Sequence, residues 1–523
     1  RSYSVTGVQT CALPIWWPAI VILALATVAI VWVQTRSDWP FQKRNLTSLP
    51  LALVAALLLL GWWAFLSRAR LAWRLGITLG LLAGLAAGAS LFRIRGVSGD
   101  LIPIFEFRWA RSAAPASMPS PAPGPSAAPT PRFNAGTNSF PQFYGPDRNG
   151  VLRGPPLETN WTAYPPAVLW RREVGPAWSG FVIVGELCLT QEQRGESECV
   201  VAYALDTGRE LWVHCDPAQY RTTIAGAGPR ATPAVVNGRL FTTGATGILN
   251  CLELDSGRLI WSRNVVTESG GRVPEWGYTS SPLVVDEMVI VHGGEGGGKL
   301  LLAFAADDGR PVWSAGTANP SYASPVLATL AGTPQVLVFT RRVVSGHDPA
   351  TGAALWEHPY ESGNVVCAPP VVVDAHRVIF SSGYGRGSDL IELSRDTAGG
   401  LSARRVWKSI RMKSKFAHLY VRDGYLFGLD DGMLACVDTS NGSQRWKEGR
   451  YGHGQGLLVG DLYLLMAESG ELVLLRPTPD APNELARFRV FSAKTWNPIA
   501  LAGDLLLVRN DQEAACLRLK LAP

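Results

Sequence analysis

The chain has 523 residues, is 47% hydrophobic and 17% charged, and carries 54 Gly and 37 Pro. Its net charge of +6 is mild for this length, and no Lys/Arg stripe is interleaved with aromatics, which excludes nucleic-acid binding as a leading function. Low charge with abundant Gly and Pro leaves two features to look for, a membrane portion and many short strands joined by tight turns.

The chain opens RSYSVTGVQTCALPI, of which VTGVQTCALPI resembles the translation of a sequencing-adapter oligonucleotide; residues 1–15, Cys11 included, are set aside as non-native. A region at 16–111 follows with three uncharged apolar runs, at 16–33, 49–66 and 75–92. Each is about long enough to cross a hydrocarbon core as a helix, so an α-helical transmembrane region of about three helices is expected. Gly80, Gly84 and Gly88 form a small-xxx-small face, and Trp16, Trp17, Trp62, Trp63 and Trp73 stand near the run ends as interfacial aromatics do. Orientation is voted both ways. Arg68, Arg70 and Arg74 make one loop basic, while Arg36, Lys43, Arg44, Arg93 and Arg95 make the other side basic.

Residues 112–139 form a linker rich in Pro, Ala and Ser. AAPASMPSPAPGPSAAPTP within it has no charge and cannot bury a core, so it reads as an extended spacer, partly polyproline II.

From residue 140 to 523 a motif recurs, Asp then Gly then Trp. ALDTGRELW ends at Trp212, ELDSGRLIW at Trp261, AADDGRPVW at Trp313, GHDPATGAALW at Trp356, a divergent copy at Trp407, and VDTSNGSQRW at Trp446. A seventh copy has Phe488 in the tryptophan slot. The period of roughly 45 residues is that of a four-stranded propeller blade. Short apolar runs bounded by Asn237-Gly238, Asp286-Glu287, Asp423-Gly424 and Gly460-Asp461 fit antiparallel strands and hairpins. An eighth unit begins at Thr495 and supplies three strands before the chain ends. Trp170, in PAVLWRREVG, is a tryptophan strand with no blade before it. The sequence therefore predicts an all-β, eight-bladed propeller of four-stranded antiparallel blades, its ends closed by pairing the strand near residue 170 with the one near 517. The blade tryptophans, Trp170, Trp212, Trp261, Trp313, Trp356, Trp407 and Trp446, are read as packing residues between blades.

The repeat resembles that of the pyrroloquinoline quinone (PQQ) repeat proteins. With the entry motif FPQFYGPDRNGV and the later stretches TQEQRGESECVVAY, RYGHGQ and TWNPIALAGDLLLVRNDQEAAC, the region from 140 to the end resembles PQQ-binding-like propellers, including the BamB-like outer-membrane assembly factors. The resemblance implies eight blades on the periplasmic side of an inner membrane, crossed here more than once. It carries two functional branches. One is a non-catalytic scaffold or binding module of the bacterial cell envelope, with no cofactor. The other is a quinoprotein dehydrogenase that holds PQQ and calcium and passes electrons from alcohols or sugars to membrane quinone. Soluble alcohol-oxidising members carry two adjacent cysteines over the quinone. No Cys-Cys pair stands in this chain, and no Glu/Asn/Asp calcium set with a catalytic Asp is recognisable. The first branch is the expectation, with the membrane and an envelope protein or small ligand as partners.

Polar and aromatic residues cluster before the first strands of several units: Arg230, Trp276, Tyr278, Tyr322, Lys415, His418, His453, Trp496 and Asn497. First strands line a propeller's channel, so these residues are candidates for one ligand-binding mouth, suited to an anionic or planar ligand. The cysteines show no CxxC pattern and the histidines no HExxH spacing, so no metal site is expected. Cys188 and Cys199 flank the turn at 193–196, a placement that allows a disulfide across that hairpin outside the cytoplasm or two buried thiols. GGEGGGKL at 293–300 lacks phosphate-loop spacing and reads as a hairpin loop.

Overall fold

The computed structural model describes residues 16–36, 39, 41–109, 139–222, 224–363, 365–397 and 399–523. Residues 1–15 and most of the Pro-rich linker lie outside the described residues. The chain forms two units, residues 1–112 and 113–523.

In the first unit, α1 (Trp17–Thr35), α2 (Phe41–Gly61) and α3 (Leu71–Leu91) are long and apolar enough to cross a membrane, α2 running on through one π-helical turn, Trp62–Leu66. The second and third helices start earlier than their apolar runs. Lys43 and Arg44 fit the first turns of α2, where Arg44 Nη1 donates to Gln34 O at 3.0 Å and Nε to Trp39 O at 3.1 Å. After α3 comes a hairpin that the apolar runs do not reveal, Phe92–Val97 against Pro103–Phe107, closed by an Arg93–Glu106 ion pair at 2.9 Å.

The second unit is an eight-bladed propeller. In chain order the first strands of the blades are Val182–Val184, Ala234–Val236, Leu283–Val285, Val326–Leu330, Val371–Val372, Leu419–Arg422, Gln455–Val459 and Ala500–Ala502. Blades 1 to 7 each run through four consecutive antiparallel strands. Blade 8 has three, and its outer strand is Ala167–Glu173, with Cys516 opposite Trp170 and Leu517 opposite Val168. The predicted closure is thus observed. Arg509, fully buried, seals it by donating to Thr190 Oγ1 at 2.8 Å, Gln191 O at 2.9 Å and Gly175 O at 2.8 Å in and beside blade 1. The short hairpins use left-handed residues where Asn, Asp and Gly tolerate them, at Asn237, Asp286, Asp423, Gly238 and Gly424.

The geometry explains why Gly and Trp recur together. Five indoles, those of Trp170, Trp212, Trp261, Trp313 and Trp407, lie under the turn glycine of the next blade. A Cβ on Gly208 would stand 2.6 Å from Trp170, and one on Gly257 would stand 2.3 Å from Trp212. The same indoles donate to a carbonyl of that neighbour, Trp170 Nε1 to Leu205 O at 2.8 Å and Trp212 Nε1 to Leu254 O at 3.1 Å. Where blade 5 has a divergent turn, Trp356 donates instead to Gln335 of its own blade. Blade 8 has no outer turn, because its last two strands come from opposite chain regions, so blade 7 has no glycine to cover. There the register corrects the expectation for Phe488: Ala486 holds the tryptophan slot, opposite Leu474, and Phe488 pairs with Leu472. In all eight blades the two outer strands slip register by one residue, a bulge that helps keep exposed edges from pairing with other chains.

The cysteine pairing is also corrected. Cys188 lies opposite Tyr203 and stays a buried thiol, while Cys199 lies directly opposite Cys215 on the next strand and is disulfide-bonded to it. Residues 188 and 199 are too far apart along their long hairpin to face each other.

Candidate functional site: the channel mouth and its plug

In seven blades a residue stands four positions before the first strand: Trp178, Arg230, Thr279, Tyr322, Cys367, Lys415 and Trp496. These positions share the end of the channel where the first strands begin. A belt of side-chain hydroxyls ties neighbouring blades there. Gly180 N donates to Thr232 Oγ1 at 3.0 Å, Thr232 N to Ser281 Oγ at 2.9 Å, and Ser281 N to Ser324 Oγ at 3.0 Å. Each belongs to a short Ser/Thr-Pro or Gly stretch just before the strand, where the backbone donor has no ladder partner.

One side of the mouth is a cation–aromatic wall. Trp178 and Trp496 lie 5.0 Å apart, Phe416 lies 5.3 Å from Trp496, and Lys494 Nζ stands 3.7 Å over the Trp496 ring. Lys415, buried, donates to His453 Nε2 at 3.2 Å. Opposite, Trp276 stacks on Tyr322 at 5.4 Å. Arg230 stacks 5.0 Å over Tyr220, with burial lowering its pKa. Six of the nine sequence candidates therefore stand at the mouth. The other three have different places. Tyr278 is buried in the core between blades 2 and 3. Asn497 donates to Ala177 O at 3.0 Å and Ser179 O at 2.8 Å, bracing blade 1. His418 lies deeper, against a segment that the family motif alone did not place.

That segment is residues 140–152, which runs through the channel as a plug. Phe140 bridges to Ile183 in blade 1, and Val235 N of blade 2 donates to Pro141 O at 2.8 Å. Tyr144 Oη donates to Gln455 Oε1 at 2.7 Å. His418 Nε2 donates to Asn149 O at 2.8 Å, and burial pulls this histidine down to about 4, so it is neutral. Val151–Leu152 then pairs parallel to the first strand of blade 7. Gly150 is required here, since a Cβ would stand 2.1 Å from His418 Nε2. Arg148, buried, crosses to blades 3 and 4. The mouth is consequently a cup with a floor made by the chain itself. The signals that sequence reading passed over are Trp178, Phe416 and Lys494, which carry no motif, and the Gly-Pro-Asp-Arg-Asn-Gly turn, whose two glycines both take left-handed angles.

Among the described residues no three His, Cys, Asp or Glu side chains gather as ligands for a metal. A cleft of about 450 Å³ lies away from the mouth, beside the first turn of blade 7, lined among others by Arg153, Leu157, Asp461 and Arg476.

Eight closed blades with a Gly-on-Trp repeat define a propeller of the PQQ-repeat class. Residues 196–448 match the family model described as outer membrane protein assembly factor BamB. No curated protein matches the chain. Among solved structures, the quinohemoprotein alcohol dehydrogenase of Comamonas testosteroni is 11% identical with a TM-score of 0.54, over 74% of this chain and 81% of that one. Alcohol dehydrogenase ADHIIG of Pseudomonas putida HK5 is 12% identical with a TM-score of 0.53, over 76% and 84%. BamB of Moraxella catarrhalis is 15% identical with a TM-score of 0.49, over 68% and 99%. The two dehydrogenases share the fold.

Proposed function

We propose that this is a membrane-anchored bacterial envelope protein whose propeller stands outside the cytoplasm and binds rather than transforms. The ligand is a planar anion, or the anionic face of an envelope protein, held at the mouth. The observation that carries this is the wall formed by Lys494, Trp496, Trp178, Phe416 and the Lys415–His453 pair above a plugged channel. Cations over aromatic faces in a partly desolvated cup favour flat, negatively charged groups. The Cys199–Cys215 disulfide supports an oxidising compartment, and three apolar helices support the anchor.

The second reading, a PQQ-dependent dehydrogenase, draws on the fold shared with quinohemoprotein alcohol dehydrogenases. The mouth residues do not fit a calcium-held quinone, because they supply cations and rings where that ion needs several carboxylate and carbonyl oxygens. One experiment separates the readings. The purified protein is titrated with PQQ, with and without calcium, following tryptophan quenching and then dye reduction with alcohols and sugars. The expected result is calcium-independent quenching, weakened by Lys494→Ala and Trp496→Ala, with no dye reduction. Turnover overturns the non-catalytic reading.

A further inference from the structure

One of the side chains that hold the plug, Arg148, has no acidic partner. Arg148 Nε donates to Pro325 O at 2.9 Å, Nη1 to Pro282 O at 3.0 Å and to Gln142 Oε1 at 3.4 Å, and Nη2 to Ser281 O at 2.6 Å. All four oxygens are neutral, and the charge is buried. The three carbonyls come from the entries to blades 3 and 4, where Pro282 and Pro325 end the belt stretches. They are fixed by the ring itself, independently of the plug. A planar fork of N–H groups meets such a set along three edges; an ammonium, with three donors on one point, does not. The turn that delivers the arginine is strained. Tyr144 and Arg148 take positive φ of 60° and 55°, as do Gly145 and Gly150 at 86° and 67°. Strain in non-glycine residues persists only where surrounding contacts impose it.

We propose that the channel contains a built guanidinium-binding site, made by the carbonyls of Ser281, Pro282 and Pro325, whose resident ligand is the chain's own Arg148, and that this arginine is the latch of a plug sealing the channel. The neutral cradle selects the shape and hydrogen bonds of a guanidinium over its charge alone.

Chemical rescue tests this on the full chain in detergent. Arg148→Ala empties the cradle, and low-millimolar ethylguanidinium is then added during thermal unfolding, with ethylammonium as control. Ethylguanidinium should raise the midpoint of Arg148→Ala by about 1–3 °C, the size expected of a ligand near or above its Kd on a domain this large, and should leave the wild type unchanged. Ethylammonium should do nothing. Equal responses to the two cations, or none to either, overturn the site. Should Arg148→Ala fail to fold, Arg148→Lys keeps the charge and the stem. Amide hydrogen exchange over residues 142–150 should then be about tenfold faster or more than in the wild type, with the blades unchanged. Unchanged exchange in Arg148→Lys overturns the latch.

Discussion

Glu198 offers the most direct test of how the blades are held together. It lies on the third strand of blade 1, opposite Gln193 on one side and Asp216 on the other, and is only 4% exposed. Neither carboxyl oxygen has a well-formed hydrogen bond. Burial is the main reason its pKa rises from 4.5 to about 7; the backbone at Ala245 and Thr246 and the Arg230 guanidinium pull it down, and Asp216 pushes it up. His214, 3.6 Å from Asp216, also faces this crevice. A folded-state carboxyl that holds its proton more tightly than the unfolded one adds stability in full below about pH 4.5, and that contribution is lost as pH rises through about 7. At 1.36 kcal/mol per pKa unit, the difference between 4.5 and about 7 is worth roughly 3 kcal/mol. Glu198→Gln keeps the shape and removes the charge. It should therefore come within about 1 kcal/mol of the wild type near pH 5 and exceed it by up to roughly 3 kcal/mol at pH 8, or a few degrees in Tm for a domain of this size. The assay is thermal unfolding of both proteins from pH 5 to pH 8. Parallel curves, or a variant that is less stable at pH 8, would refute the reasoning, since the latter means that the ionised carboxylate braces the 244–247 turn.

Other substitutions test other joints. Gly257→Ala places a Cβ 2.3 Å from the Trp212 ring at a φ of +68° and should cost about 1–3 kcal/mol, read by denaturant unfolding; Gly185→Ala, a positive-φ glycine with open space around it, is the control that isolates the clash. Cys199→Ser opens a disulfide spanning 16 residues and should cost about 3 kcal/mol, with loss of the Tm difference between oxidising and reducing buffer. Cys188→Ser should leave that difference intact. Arg509→Leu strips the carbonyls of Gln191 and Gly175 of their donor and should cost about 2–4 kcal/mol, seen as a lower midpoint and faster exchange in blades 8 and 1.

Most of the propeller was legible because its repeat is written twice, in spacing and in chemistry. A glycine that must lie on an indole cannot drift in sequence without its tryptophan, so the pair marks five of the eight blade junctions, and the orphan Trp170 marks the closure. Phe488 was misassigned because an aromatic stands two residues beyond the slot, which the register gives to Ala486. The mouth was half legible. Position before a first strand found Arg230, Lys415, His453 and Trp496, but the same rule drew in Tyr278 and Asn497, because one or two residues of offset turn a side chain from the channel into the core. Trp178 and Lys494 lie outside the repeat motif, and the Trp178–Trp496 pair, with Lys494 over both rings, arises only once blade 8 is closed against blade 1. The Cys199–Cys215 bond was missed because it depends on register, and a hairpin's register cannot be read from the distance between two cysteines.

The plug and the mouth are not independent features. Tyr144 donates to Gln455, whose own Nε2 donates to Phe416 O at 2.8 Å, and Phe416 packs on both His453 and Trp496. His418, two residues beyond Phe416, holds Asn149 O. On the far side the Arg148 cradle uses Ser281 O, while Thr279 Oγ1 donates to Tyr322 O at 2.7 Å. Mouth and plug are thus joined by short paths of one or two hydrogen bonds. A ligand that shifts Phe416 or Tyr322 must alter the plug's contacts, and a loosened plug must alter the mouth by the same free energy. Arg148→Lys should accordingly weaken quenching of the mouth tryptophans by a planar anion although it touches none of them. Unchanged affinity in a variant whose plug exchanges faster would separate the two elements and leave the plug a purely structural closure.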